Sequence, residues 1–111
     1  MESLKRGDVW WVSLGPSVGG EIRKTRPAVI VSNNAANAVL NRVVLVPLTS
    51  RTDRVYPSEA LVQVQGKEAK AMANQITTAA RERLQNRIGV LSPDGLRAVE
   101  DAILLHLGIR R

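Results

Sequence analysis

The chain has 111 residues, with 16 Lys and Arg residues against 10 Asp and Glu residues, which gives a formal net charge of +6. The length fits one domain, residues 1–111, with one modest core. The absence of Cys excludes disulfides and thiolate chemistry, and a single His argues against a protein-only metal site. Two Trp, one Tyr and no Phe are too few rings for an RNP-type base-stacking sheet. The positive charge favours an anionic partner such as nucleic acid or an acidic protein tail.

The sequence contains no apolar stretch of signal-peptide or membrane-spanning length. We therefore expect a cytoplasmic protein that does not interact with membranes.

The first half of the chain predicts strands separated by polar loops. Residues 8–14 alternate, with Trp10, Val12 and Leu14 on one face, so we expect Trp10 in the core and assign Trp11 to either a partner surface or a second packed ring. A loop, PSVGGEIRKT, spans residues 16–25. The β-branched run AVIV predicts a strand over residues 27–32 that is buried on both faces.

The middle of the chain continues this pattern. Residues 33–41 are rich in Asn and predict a polar connector. Residues 42–49, RVVLVPLT, predict a buried strand whose Pro47 indicates an edge or a bulge. Residues 59–64 alternate and predict a further strand, which turns at Gln65-Gly66.

The last third predicts a strand through Asn74-Gln75-Ile76, a helical turn within residues 80–85, a short strand over residues 87–91 and a C-terminal helix. The helix is the clearest element. Ser92 can cap it, Pro93 suits its first position, and Gly108 is a natural stop. Its apolar stripe comprises Leu96, Val99, Ile103 and Leu107. Strands and helices do not alternate, so we predict a mainly β (α+β) domain, a small antiparallel barrel with a C-terminal helix.

Two segments could carry chemistry. In GGEIRKTRP, residues 19–27, three cations precede a buried strand, and Pro27 holds Arg26 in an extended conformation. A rigid guanidinium there could clamp a phosphate, or the segment could be a solvated charged loop. In PLTS, residues 47–50, a Thr leaves a core strand and could offer a hydroxyl at the same rim. The single His106 fits a cation at a helix C-terminus or a packed surface residue better than a catalyst.

These motifs resemble those of the MazF/PemK family of toxin endoribonucleases. The run RGDVWWVSLGPSVGGEIRKTRPAVIVS is similar to the family's N-terminal signature. Val46-Pro47-Leu48-Thr49-Ser50 matches its second block, and Ala73-Asn74-Gln75-Ile76 with Arg83-Leu84 matches its third. The resemblance extends from Arg6 to about Ile109 and implies an SH3-like, CcdB/PemK-like barrel.

The resemblance also implies roles for individual residues. The essential Arg and Thr of the family fall on Arg26 and Thr49, its loop Glu on Glu21 and its RNA-contacting Gln on Gln75. Neighbouring positions complete the predicted substrate-binding set, namely Gly20, Arg23, Lys24, Ser50, Arg51, Asn74 and Arg83. The more basic loop, with Ile22-Arg23-Lys24 and Gly20 where relatives differ, leaves the recognised sequence undefined.

The implied activity is sequence-specific cleavage of single-stranded RNA without metal or other cofactor. The RNA supplies its own nucleophile, the 2′-hydroxyl, so the protein needs only to align it and to stabilise the phosphoryl oxygens. The resemblance further implies a homodimer and a cognate antitoxin with an acidic C-terminal tail. Two alternatives remain on the same fold: a CcdB-like gyrase poison, which needs a C-terminal Trp that HLGIRR lacks, and a non-catalytic RNA- or protein-binding barrel.

Overall fold

A computed structural model describes residues 3–16, 19 and 24–110. The elements follow in the order β1 (Asp8–Ser13), β2 (Thr25–Ile30), α1 (Asn34–Val39), β3 (Arg42–Thr49), β4 (Glu59–Val64), β5 (Lys67–Met72), a 3₁₀ helix (Ala73–Gln75), β6 (Thr77–Ala80), a 3₁₀ helix (Arg81–Arg83), β7 (Leu84–Val90) and α2 (Pro93–Leu107). No helix in the described part of the chain is long and apolar enough to span a membrane.

The strands form one antiparallel sheet in the order β4-β5-β3-β2-β1-β7, and β6 pairs with β3 outside that path. The β4–β5 turn closes against β7, because the Gln65 side chain donates a hydrogen bond of 2.7 Å to the carbonyl of Ile88. One core cluster lies between the sheet and α2 and includes Val29, Val46 and Val99. A second cluster on the opposite face includes Trp10, Ile30 and Leu45. The predicted core position of Trp10 is confirmed.

β3 is the central strand, and the prediction that Pro47 marks an edge is wrong. Residues 45–47 of β3 pair with β2 on one side, while its other side pairs first with β6, at residues 42–45, and then with β5, at residues 48–49. Backbone groups alternate sides along a strand, and the Val44 carbonyl accepts bonds from the β2 side. The Pro47 nitrogen therefore faces the gap between β6 and β5, where no N–H is needed.

Two further predictions, one for a connector and one for a strand, are wrong. The predicted connector over residues 33–41 contains the short helix α1, because the Asn33 side chain accepts a bond from the Ala36 N–H and caps it. The predicted strand through Asn74-Gln75-Ile76 is a 3₁₀ helix, which turns the chain from β5 into β6.

The C-terminal helix follows the prediction. The Ser92 hydroxyl accepts a bond from the Gly95 N–H, Pro93 occupies the first turn, and Gly108 ends the helix with φ 70°. Val99 and Ala102 are buried and Leu96 and Ile103 partly buried, but the predicted stripe ends there, because Leu107 is exposed.

Candidate functional site

Arg26 and Thr49 meet where β2 begins and β3 ends. The two strands pair with Ala28 opposite Pro47, and the same register continued by two residues sets Arg26 opposite Thr49. Cross-strand neighbours point to the same face of a sheet. Both residues line one groove of about 250 Å³. The other residues that line it are Trp11, Thr25, Pro27, Leu48 and Ser50. The structure therefore brings the two predicted catalytic residues together.

The Thr49 hydroxyl is oriented by the backbone that follows it. The residue is 7% exposed, and its Oγ1 accepts a hydrogen bond of 3.2 Å from the N–H of Arg51. A hydroxyl that accepts one bond still carries its own hydrogen. Thr49 can therefore donate that hydrogen to an anionic oxygen in the groove.

The Arg26 guanidinium is available for a ligand. Within residues 3–16, 19 and 24–110 it makes no hydrogen bond and no ion pair, although the residue is half-buried. Pro27 follows it and holds its backbone extended. A guanidinium offers five N–H donors in a planar fork that matches two oxygens of a phosphate. Arg26 thus combines a restrained backbone with an unneutralised guanidinium that can bind an anion.

Two more cations lie at this end of the sheet. Lys24 is exposed and has φ 69°, and its backbone pairs with that of Leu14 and Gly15. Arg83 is exposed and donates a bond of 3.2 Å to the carbonyl of Ser13, which is paired with Thr25. Together with Arg26 they concentrate positive charge at this end of the sheet, although neither is among the described residues that line the groove.

The remaining predicted residues divide into three groups. Ser50 lines the groove, whereas Arg51 contributes its backbone N–H to Thr49. Asn74 and Gln75 lie in the 3₁₀ helix and are not among the described residues that line the groove, so a single chain does not bring them to Arg26. The predicted substrate contacts of Gly20, Glu21 and Arg23 fall outside the described residues.

Sequence reasoning missed part of the site because it missed β5. Lys70 on that strand pairs with Thr49 across the sheet, and its Nζ lies 3.2 Å from Glu59 Oε1 and donates to the Arg54 carbonyl at 2.9 Å. The signal available in the sequence was the turn predicted at Gln65-Gly66. In the structure both residues of this turn have positive φ. Such a turn is typical of a hairpin and implies a second strand after β4.

A second groove, of about 560 Å³, lies near the other end of β3 and has a different character. Arg6 borders it, but its Nε donates to the Val31 carbonyl at 3.0 Å and its Nη2 pairs with Glu100. Nearby, the buried Asn37 amide donates to the Ser32 carbonyl at 2.9 Å and accepts from the Ser32 hydroxyl. The cation and amide at this end are already engaged by the protein.

His106 shows no sign of a catalytic role. It lies exposed in the last turn of α2, with Nδ1 3.0 Å from the hydroxyl of Ser58. This position agrees with the predicted packed surface residue.

Comparison with known proteins identifies the family. Residues 5–107 match the model of the PemK-like, MazF-like toxin of type II toxin–antitoxin systems. The chain belongs to this toxin family. It is 38% identical over 115 residues to Endoribonuclease MazF9 of Mycobacterium tuberculosis, an alignment covering 96% of this chain and 98% of the relative.

Solved structures agree with this assignment. An endoribonuclease in complex with its cognate antitoxin from a mycobacterial species has a TM-score of 0.81 at 28% identity, covering 96% of this chain and 97% of the other. MazF from Deinococcus radiodurans has a TM-score of 0.86 at 25% identity, covering 98% and 100%. The predictions of the MazF/PemK family, of a mainly β fold with a C-terminal helix and of an endoribonuclease toxin are confirmed.

Proposed function

We propose that this toxin cleaves single-stranded RNA sequence-specifically and without metal, and that Arg26 and Thr49 are its catalytic residues. The observation that carries the proposal is the shared groove, in which an unpaired guanidinium lies beside a hydroxyl that can still donate. Both groups bind anionic oxygen. The name of the relative, Endoribonuclease MazF9, supports RNA as the polymer that is cut.

The reaction needs little from the protein beyond alignment and charge stabilisation. The RNA 2′-oxygen attacks the adjacent phosphorus, the P–O5′ bond breaks, and the products carry a 2′,3′-cyclic phosphate and a 5′-hydroxyl. The 2′-hydroxyl proton leaves during attack, and a proton is added to the 5′-oxygen. Glu21 is a candidate to accept the first proton, because a carboxylate can act as a general base.

Arg26 has the geometry to stabilise the transition state. Charge grows on the two non-bridging oxygens during attack, and a planar guanidinium can bond both of them. Thr49 donates one further hydrogen bond from the opposite strand. Because both groups are held by paired strands, they need little reorganisation as the charge develops.

The antitoxin acts on the same surface in this proposal. Lys24, Arg26 and Arg83 are cations at one end of the sheet, so an acidic C-terminal tail would compete with RNA for them. The solved relative bound to its cognate antitoxin supports such a partner. We further propose a cytoplasmic homodimer, which is supported by the exposed apolar residues at the end of α2, namely Leu105, Leu107 and Ile109.

The test is RNA cleavage in EDTA by the purified protein and its Arg26→Ala and Thr49→Ala variants. We expect each variant to lose at least about 100-fold in rate, because a preorganised donor to a developing oxyanion contributes that much. Arg42→Ala is the matched control, since Arg42 is exposed at the opposite end of β3. It should cleave like the parent protein.

The mechanism is tested by modifying the RNA and by examining the ends of its products. A 2′-O-methyl group at the attacking nucleotide should abolish cleavage, and the products of unmodified RNA should carry 2′,3′-cyclic phosphate ends. Undiminished cleavage by both variants, or 5′-phosphate products, would refute the site or the mechanism respectively.

A further inference from the structure

A smaller cavity adjoins the groove that holds Arg26, and the proposed mechanism gives it no role. It has a volume of about 160 Å³ and shares Trp11, Pro27, Leu48, Thr49 and Ser50 with the groove that holds Arg26. A group bound in this cavity would therefore adjoin a substrate whose phosphate lies against Arg26 and Thr49. We refer to it as the Trp11 slot.

The walls of the Trp11 slot are apolar and its rim is polar. The walls comprise Trp11, Pro27, Leu48, Val64, Ala69 and Ile88. Lys67 and Glu68 also line the slot and are exposed, but they are consecutive in β5 and point to opposite faces, so only Lys67 shares the face of Ala69. Apolar walls with a few free polar groups are typical of a site for a planar, partly polar ligand.

The two neighbouring tryptophans point to a role for Trp11. Trp10 is 5% exposed, whereas Trp11 is 37% exposed. Alternation along β1 requires the two rings to lie on opposite faces. Trp11 is thus a large ring at the surface, immediately beside the catalytic groove, where bases of single-stranded nucleic acid commonly stack on aromatic side chains.

We propose that the Trp11 slot holds one pyrimidine base of the RNA next to the scissile phosphate, stacked on Trp11. An apolar cavity of about 150 Å³ holds one benzene molecule, so a slot of 160 Å³ suits a single six-membered ring. The inference rests on the proposed function, because it assumes an RNA phosphate at Arg26.

The experiment combines Trp11 variants with an abasic scan. The probe is an oligonucleotide that the parent protein cleaves, made uncleavable by 2′-O-methylation at the attacking nucleotide, with each base removed in turn. In the parent protein, removing one base beside the scissile phosphate should weaken binding about 5- to 100-fold, the range for base–aromatic stacking. Trp11→Ala should weaken binding of the intact probe similarly and show no further loss at that position. Trp11→Phe should restore most of the affinity.

The controls separate stacking from a structural defect. Tyr56→Ala removes another exposed aromatic that is not among the residues lining either cavity, and it should bind every probe like the parent protein. Trp11→Phe keeps the fold testable if Trp11→Ala does not fold.

The outcomes distinguish this inference from the proposed function. If the parent protein does not cleave RNA in EDTA, the proposed function fails. If it cleaves RNA but losses from Trp11→Ala and from the abasic site multiply, the slot does not hold that base and the inference alone is overturned.

Discussion

The two ends of β3 each have an arginine and a polar side chain nearby, but the two ends differ in how these side chains are bonded. Near the start of β3, Arg6 bonds the Val31 carbonyl and Glu100, and the buried Asn37 amide bonds Ser32. At its end, Arg26 has no partner within the described residues, and the Thr49 hydroxyl retains a free hydrogen. A buried or half-buried polar group without a partner costs stability. The polar groups at the start of β3, which we call the closed end, are thus bonded within the protein, whereas at its other end, which we call the open end, Arg26 and the Thr49 hydrogen have no partner among the described residues.

The largest effect should come from a change at the open end that conserves charge. Arg26→Lys keeps a cation but loses the planar fork that can bind two phosphoryl oxygens. We expect the rate of RNA cleavage to fall about 10²- to 10³-fold. The free energy of unfolding should change by less than about 0.5 kcal/mol, because no contact within the described protein is lost. Arg42→Lys is the control, and a lysine variant as active as the parent would remove the fork from the mechanism.

The next largest effect should be on stability at the closed end. Asn37→Ala removes a buried amide that accepts from the hydroxyl and donates to the carbonyl of the half-buried Ser32, whose hydroxyl then keeps only the bond from the Val44 N–H. We expect a loss of about 2–3 kcal/mol in the free energy of unfolding, measured in urea, while the cleavage rate per folded molecule stays within about twofold. Asn41→Ala, at an exposed position, should cost less than about 0.5 kcal/mol. If Asn37→Ala lowered the cleavage rate per folded molecule without lowering stability, the proposed difference between the two ends of β3 would be wrong.

A smaller loss of stability is expected from the other polar group at the closed end. Arg6→Met keeps an apolar stem against the groove but removes the bonds to Val31 and Glu100. The side chains of Arg6 and Glu100 are 30% and 31% exposed, so solvent screens much of their attraction. Thermal and urea unfolding should therefore report a loss of about 1 kcal/mol. A larger loss of RNA binding than of stability would show that Arg6 also contacts substrate.

The smallest effect is electrostatic and should appear only as a salt dependence. Lys24→Gln removes one exposed cation at the end of the sheet that holds Arg26. If Lys24 neutralises one RNA phosphate, the slope of log affinity against log salt should decrease in magnitude by about 0.7, as for one phosphate of a single strand. Arg97→Gln removes an exposed cation from α2 instead and should leave the slope unchanged. Equal slopes in the two variants would exclude Lys24 from the contact surface.

The sequence allowed most of the elements that carry the site to be predicted. The buried runs AVIV and RVVLV indicate strands by their β-branched residues, and the Arg-Pro and Pro-Leu-Thr-Ser motifs lie at their ends. Pairing of β2 with β3 then sets Arg26 opposite Thr49. Such pairing depends on contacts between distant parts of the chain, and here the family motifs supplied the link that composition and periodicity could not.

The missed elements have local signals that compete with their tertiary setting. Strand β5, KEAKAM, is rich in Lys, Glu and Ala, which favour helices, and only its partners β4 and β3 hold it extended. Helix α1 is six residues long, too short for a periodic pattern, and depends on its Asn33 cap. The Trp11 slot combines side chains from β1, β2, β3, β4, β5 and β7, so no single segment of sequence could indicate it.

Pro47 also limits how β5 and β6 can align along β3. Its nitrogen cannot donate, so a β6 that slid forward along β3, or a β5 that slid back, would leave a carbonyl without a partner at residue 47. Both incorrect alignments are therefore penalised by the same residue. Thr49 lies only two residues beyond this stop and pairs with Lys70. A proline that looks like an interruption of the central strand thus helps to set the alignment of the neighbouring strands two residues before Thr49.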